Sequence, residues 1–152
     1  MPLSKIQLKR FLSEVRLAHL ATASIDGKPR VSPMWFVYEN GCFYFTTRVG
    51  RLKGRHMRDN PHVALSIASD SRPYRAVCVS GTAHLLQDGR DEWLGKIGLR
   101  YGKREGKLWL QEALTQPDRV VMILRPDHIL SWDYSKGDAE RQGRGESMIT
   151  RI

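Results

Sequence analysis

The densest group of side chains with chemical potential in this sequence is a basic stretch, RVGRLKGRHMRDNP, at residues 48–61. It holds five Arg or Lys residues and His56 before its first acid, Asp59. It follows the apolar run CFYFTT, so Thr46 and Thr47 stand where a strand should end and a short helix should begin. Such a junction offers hydroxyls, free backbone N–H groups and fixed cations, which together suit a phosphate. The position leaves two interpretations open, an anion site and a solvated basic helix.

Outside this stretch, no pattern in the sequence indicates acid–base, nucleophilic or metal chemistry. No two histidines are spaced as metal ligands on one helix would be. Neither a G-x-x-x-x-G-K phosphate loop nor a G-x-G-x-x-G turn is present. Cys42 and Cys78 each lie in a strand-like segment, which favours two free thiols over a disulfide or a zinc site. We therefore predict no catalytic side chain and no metal site.

The overall composition limits the classes of partner. The 152 residues carry a formal net charge of +9, which favours anionic ligands. The other cations are scattered and lack the interleaved aromatics that stack on bases, so nucleic acid is not predicted. No apolar run approaches the roughly 18 residues that cross a membrane, and the start, MPLSKIQLKRF, is too polar for a signal peptide. We expect a cytoplasmic protein with a small-molecule substrate and no membrane partner.

Periodicity and turn signals predict the elements that hold the basic stretch in place. Ser4 and Gln7 form a capping-box pattern that opens a helix ending near Glu14. The dipeptide Asn40-Gly41 between two apolar runs predicts a β-hairpin. Gly81 inside a later strand predicts a bulge or a close approach of backbone. Strand character is found at residues 17–24, 31–38, 42–47, 63–68, 76–86, 119–124 and 128–134, with Pro126 interrupting the last two.

Helical segments lie between some of these strands. Besides the basic stretch, residues 91–114 have helical character, with predicted breaks at 101–103 and at 105–106. Six or seven short antiparallel strands with flanking helices predict a mainly β (α+β) fold, a small barrel over residues 1–134. Residues 135–152 are polar and without period, and we expect this tail to be mobile unless a partner holds it.

The order of the motifs resembles a known family. LATASIDGKPRVSPMWF, FYFTTRVGRLKGRHMRDNPHVAL, VSGTAHL and ILSWD follow one another between about residues 17 and 133. In that order they resemble the flavin-binding split barrel of the pyridoxamine 5′-phosphate oxidase-like superfamily. The likeness is greatest to the small F420- or FMN-dependent reductases, the flavin/deazaflavin oxidoreductases of class B type. Its most specific piece is R-x-K-x-R-x-x-x-x-x-P after a Thr-bearing strand end. The substrate-binding motif of true pyridoxamine phosphate oxidases is missing, so oxidation of vitamin B6 is not implied.

The resemblance assigns the basic stretch to the cofactor phosphate. It implies that Arg51 and Lys53 neutralise this phosphate, while Thr46 and Thr47 add donors to the phosphate and the ribityl chain. It also explains why catalytic side chains are missing, since flavin and deazaflavin cofactors carry hydride chemistry themselves.

The resemblance also implies contacts with the cofactor ring. The backbone of Ser32, Pro33 and Met34 matches the segment that runs along the isoalloxazine or deazaflavin ring. Trp132 matches a late-strand aromatic close to the cofactor, often across a homodimer interface. In the loop between two strands, Tyr74 is expected to stack on a flat substrate, and Arg75 to orient an electron-rich group of that substrate.

The identity of the cofactor is the remaining choice. Coenzyme F420 is favoured, because its lactyl-oligoglutamate tail adds carboxylates that Arg48, Arg55 and Arg58 would attract. FMN is the alternative cofactor for an oxidoreductase of the same fold. A non-catalytic module that binds flavin or haem is the alternative function.

Overall fold

Seven antiparallel strands curl into an open half-barrel with four flanking helices in the computed structural model, which describes residues 2–135 and 149–150. The strands run in the order β2-β1-β5-β6-β7-β4-β3, so β2 and β3, neighbours in the chain, lie at opposite edges. The predicted mainly β fold of six to seven strands is confirmed. The strands are β1 Ala18–Ala23, β2 Pro29–Met34, β3 Val37–Glu39, β4 Cys42–Arg48, β5 His62–Ala68, β6 Arg75–Leu85 and β7 Arg119–Asp133, and the helices are α1 Lys5–Ser13, α2 Leu52–Asp59, α3 Arg90–Arg100 and α4 Glu105–Leu114.

The core lies on the concave face of the sheet, because apolar side chains alternate along the strands. In β4, for example, Phe43 and Phe45 are fully buried, while Tyr44 between them is not. Helix α1 packs Phe11 and Leu12 into the same core. Each such side chain contributes roughly 1.5–3 kcal/mol when it is fully buried. The predicted capping box that starts α1 is confirmed.

The predicted strand at residues 31–38 is divided into β2 and β3. The backbone of Phe36 leaves the sheet because α3 and the residue after it supply its partners instead. Its N–H donates to the Tyr101 hydroxyl at 3.0 Å, and its carbonyl accepts from Arg100 Nη1 at 2.7 Å. Trp35 stacks on the ring of Tyr101 with centroids 4.7 Å apart. Side chains distant in sequence therefore end the strand, which the local pattern could not indicate.

The expected interruption at Pro126 is wrong, since β7 runs through it as one strand. The register between β6 and β7 shifts between Ser80 and Gly81, and Pro126 then pairs with Gly81. A Cβ at position 81 would stand 2.1 Å from the carbonyl oxygen of Arg125. The close approach of backbone predicted at this glycine is confirmed, and the bulge accommodates the proline.

The helical region is broken once, not twice. The chain turns at residues 101–103 as predicted, but Glu105 and Gly106 belong to α4. Gly106 allows α4 to pack against α3, because a Cβ there would lie 1.9 Å from the carbonyl oxygen of Gly98. The glycine is a helix-packing position and not a helix breaker.

The prediction of a mobile tail falls almost entirely outside the described residues. Of residues 136–152, the structure describes only Ile149–Thr150, a short strand β8 that pairs with Ile129 and Leu130 of β7. Among the described helices, none is long and apolar enough to cross a membrane.

Candidate functional site

A cleft of about 510 Å³ opens where β4 passes into α2, and we call it the cationic cleft. Arg30 and Ser32 of β2 form one wall, and the start of α2 forms another. Arg119 at the start of β7 and the C-terminal part of α4 complete it. Six of the residues expected to bind the cofactor line this cleft: Ser32, Thr46, Thr47, Arg48, Arg51 and Lys53.

Three cations in the cationic cleft have no partner within the described part of the chain. The side chains of Arg30, Arg51 and Lys53 make no hydrogen bond or ion pair there. Burial lowers the pKa of Lys53, and the charges of Arg119 and Arg51 lower it further. Both causes disfavour the ammonium form, and the opposite charge of an anion placed among these groups would offset them. The arrangement is suited to a negatively charged ligand.

Arg48 is engaged differently, although it lines the same cleft. Its Nε donates to both carboxylate oxygens of Asp118, at 2.9 and 3.1 Å. This pair lowers the pKa of Asp118. Much of the charge of Arg48 is therefore neutralised within the protein.

Donors without a charge add to the cationic cleft. No side chain caps the N-terminus of α2, and a helix leaves its first N–H groups without intrahelical partners. The hydroxyl oxygen of Ser32 is buried and has no hydrogen-bond partner in the described residues. Leaving such a group unsatisfied costs about 1–3 kcal/mol, which a ligand that bonds it would offset. The Thr46 hydroxyl, by contrast, already donates to the carbonyl of Val120 at 2.8 Å.

Two cations of the cationic cleft were missed at the sequence level. Arg30 stands two residues before Ser32 on the same strand, so the period of two could have placed both on one face. Arg119 pairs with Arg48 across β4 and β7, a register that no local pattern reveals. Its guanidinium donates from Nε to Gln116 Oε1 at 2.7 Å and lies 5.5 Å over the ring of Trp109.

The other residues expected near the cofactor ring lie elsewhere in this chain. Pro33 is exposed and pairs with His19, whereas Met34 is buried in the core with 7% exposure. Trp132 lies near the end of β7 remote from Arg119, with 37% of its surface exposed. None of the three lines the cationic cleft.

The two residues expected to bind substrate also lie outside the cationic cleft. Tyr74 is half exposed, with the guanidinium of Arg72 5.8 Å from its ring centroid. Arg75 pairs with Glu14 at 3.7 Å and lies 5.3 Å over the ring of Phe11. Arg75 therefore joins β6 to the end of α1 in the single chain.

A second open groove, of about 290 Å³, lies on the convex face of the sheet. Small or neutral side chains from four adjacent strands form this face. Two rows of directly paired residues cross it: Ala21, Ala64, Ser80 and His128, and beside them His19, Ser66, Cys78 and Leu130. Neither row contains an acid, a lysine or an arginine.

An open antiparallel half-barrel, with cations gathered where a strand passes into a helix, has the architecture of a split barrel. The chain belongs to the pyridoxamine 5′-phosphate oxidase family, whose model matches residues 4–133. This confirms the resemblance inferred from the motif order. No curated protein sequence matches the chain.

Solved structures of similar fold differ in what they bind. An F420 reductase is 30% identical, covering 80% of this chain and 94% of its own, with a TM-score of 0.67. A FAD-binding protein from Mesorhizobium loti is 20% identical, covering 86% and 93%, with a TM-score of 0.63. The haem storage protein HutZ from Vibrio cholerae is 19% identical, covering 88% and 95%, with a TM-score of 0.67. The last two likenesses concern the fold alone.

Proposed function

We propose that the protein is an oxidoreductase that binds the phosphate of a flavin-type cofactor in the cationic cleft, coenzyme F420 in preference to FMN. The observation that carries this proposal is the convergence of Arg30, Arg51 and Lys53, none with a partner in the described chain, beside the unsatisfied hydroxyl of Ser32. A phosphate supplies the negative charge that would neutralise these cations. It also supplies acceptor oxygens for the hydroxyl of Ser32.

The residues divide the work of binding by their chemistry. Arg51 presents a fork of donors, whereas Lys53 acts as a point charge whose pKa rises again when an anion is bound. The uncapped start of α2 adds backbone N–H groups. The cofactor ring, when bound, carries the hydride. From the cleft, β2 continues to Pro33 and Met34, whose backbone we propose to lie along that ring.

The preference for F420 rests on charge and on similarity. The cationic cleft holds more positive charge than the monophosphate of FMN requires, and F420 adds carboxylates. The solved F420 reductase that is 30% identical supports the same preference. FMN remains the alternative, and a non-catalytic module that binds flavin or haem is the second candidate, favoured by the similar fold of the haem storage protein.

We propose that two copies pack through the convex face of the sheet. Its paired rows contain no acid, lysine or arginine, and the large apolar side chains Val31 and Trp132 at its sides are 63% and 37% exposed. A twofold interface uses the same patch on both copies, so a patch without acids, lysines or arginines avoids placing such like charges against each other. Such a dimer would bring Trp132 of one copy towards the cofactor of the other.

The proposal is tested by titrating the purified protein with F420 and with FMN while recording absorbance and fluorescence. Saturable binding of either supports the cofactor site, and binding of neither contradicts it. The bound cofactor is then reduced, and its reoxidation by quinones, enones and tetrapyrroles is followed. Reoxidation no faster than that of the free reduced cofactor, for every acceptor, would favour the carrier or sensor function over the enzyme.

A further inference from the structure

The positive charge of the cationic cleft exceeds what one phosphate neutralises. Four of its cations have no carboxylate within ion-pair distance in the described chain: Arg30, Arg51, Lys53 and Arg119. A phosphate monoester brings about 1.5–2 negative charges at neutral pH. The single acid of the cleft, Glu112, brings one more, so that at least one cation is left over.

Arg119 is the cation whose position is most firmly set. Its Nε donates to Gln116 Oε1 at 2.7 Å, and its Nη1 donates to Thr46 Oγ1 at 3.4 Å. The Trp109 ring lies 5.5 Å below the guanidinium. These neutral partners fix the side chain without cancelling its charge. Burial lowers the pKa of Arg119 and the neighbouring Arg48 lowers it further, while the charges of Asp118 and Glu112 act in the opposite direction without reversing the shift.

Arg119 also comes from a different side of the cleft than the α2 cations. It belongs to the β7 strand start and is held by Gln116, just after α4, whereas Arg51 and Lys53 stand where α2 begins. Yet Arg119 is close enough for its charge to lower the pKa of Lys53. Besides Arg30 on β2, the cavity thus holds two separately positioned groups of positive charge, Arg51 with Lys53 and Arg119.

The basic residues further along α2 are not available in the same way. Arg55 donates to the carbonyl of Gly50 at 2.6 Å, and Arg58 pairs with Asp59 at 2.8 Å. Neither side chain lines the cationic cleft.

We propose that Arg119 binds a second anionic group, a carboxylate, on the same ligand whose phosphate lies at the start of α2. This inference rests on the proposed cofactor site and names the feature by which that site selects its ligand. A ligand with a phosphate alone leaves Arg119 unpaired, whereas one with a phosphate and a nearby carboxylate engages both groups of cations.

The first test compares F420 with FMN in the R119Q variant. Dissociation constants are measured by fluorescence titration for the parent, R119Q and the control R125Q, which removes an exposed Arg from the same strand. We expect R119Q to weaken F420 binding about ten- to a hundredfold and FMN binding less than about threefold, with R125Q unchanged. Equal weakening of both cofactors would place Arg119 in the phosphate site, and no weakening of either would remove it from the cleft. Both results overturn the inference.

A second test needs no redox cofactor. Glycerol 3-phosphate and 3-phosphoglycerate differ at one end only, where the first has a hydroxymethyl group and the second has a carboxylate. The affinities of both compounds are measured by calorimetry. We expect the parent and R125Q to prefer 3-phosphoglycerate about tenfold or more, and R119Q to lose that preference. A parent without the preference overturns the inference. If the parent shows it but binds neither F420 nor FMN, the proposed cofactor fails while the second anion subsite stands.

Loss of folding is separated from loss of binding by thermal melts without ligand. If R119Q does not fold, the R119K variant is measured instead, because lysine keeps the positive charge but lacks the forked N–H donors of the guanidinium. A preference of at least about threefold for 3-phosphoglycerate in R119K supports the inference, and its absence overturns it.

Discussion

Replacing Lys53 with Ala tests the phosphate site most directly, because the structure predicts opposite effects on binding and on stability. Without a ligand, Lys53 is half-buried, and the charges of Arg51 and Arg119 repel its ammonium group. With a phosphate present, the ammonium gains a charge-assisted contact worth roughly 1.5–3 kcal/mol. The variant should therefore bind F420 and FMN about ten- to a hundredfold more weakly than the parent, while its free energy of unfolding without ligand should be equal or higher.

The pH dependence of stability provides a second, independent check on Lys53. The pKa of Lys53 is lower in the folded chain than in the unfolded chain, so the unfolded chain binds more protons between the two values. In that alkaline range, below the usual pKa of lysine, the free energy of unfolding of the parent rises with pH, because Lys53 loses its proton more readily in the folded chain. The stability advantage of Lys53→Ala over the parent should be largest at neutral pH and should shrink through that window.

The assay combines cofactor titrations at two salt concentrations with denaturant unfolding at several pH values. Lys107→Ala, at an exposed position of α4, is the matched control and should leave affinity and stability unchanged. The predicted loss should also be smaller at high salt, where exposed charges are screened. Parental affinity for both cofactors in Lys53→Ala would refute the assignment of the phosphate. A large loss of stability without ligand would show that Lys53 serves the fold.

Four further outcomes follow from the described contacts. Ser32→Ala should leave stability unchanged or slightly higher, since it removes an unsatisfied buried hydroxyl, and it should weaken cofactor binding several-fold in titrations. Ala64→Lys should convert a dimer to a monomer in sedimentation equilibrium, because it places a charge in the convex face, and a parent that is monomeric at micromolar concentration would contradict the dimer. Tyr74→Ala should lower turnover while cofactor affinity is kept, and unchanged acceptor-selective turnover would discard this loop. Arg75→Ala should do the same with some loss of stability, because Arg75 also pairs with Glu14.

The parts of the fold that were predicted correctly depend on short stretches of chain. The Asn40-Gly41 hairpin formed as expected, with Glu39 paired to Cys42 and positive φ angles of 51° and 77° in the turn. The capping box of α1 is equally local. Where the prediction went wrong, a distant partner decided the outcome, as Tyr101 did for the backbone of Phe36.

The candidate site likewise contains residues that the local sequence could identify and residues that only the tertiary fold brings together. The residues from Thr46 to Lys53 are contiguous, so their chemistry could be recognised from the order of residue types along the chain. Arg119 reaches the cationic cleft only because β7 pairs with β4, and that pairing depends on the whole sheet. No local pattern places Gln116, just after α4, against the guanidinium of Arg119.

The strand order places the cationic cleft between the two ends of the sheet. Its wall on β2 stands at one end of the hydrogen-bonded path, and its wall on β4 stands next to the other end, with β1, β5, β6 and β7 between them. A closed barrel would join such ends by backbone hydrogen bonds. Here an anion bound by Arg30 of β2 and by Lys53 of α2, the helix that follows β4, would link the two ends through a ligand in place of backbone hydrogen bonds. Binding the cofactor would then also tie together two strands that share no backbone hydrogen bond.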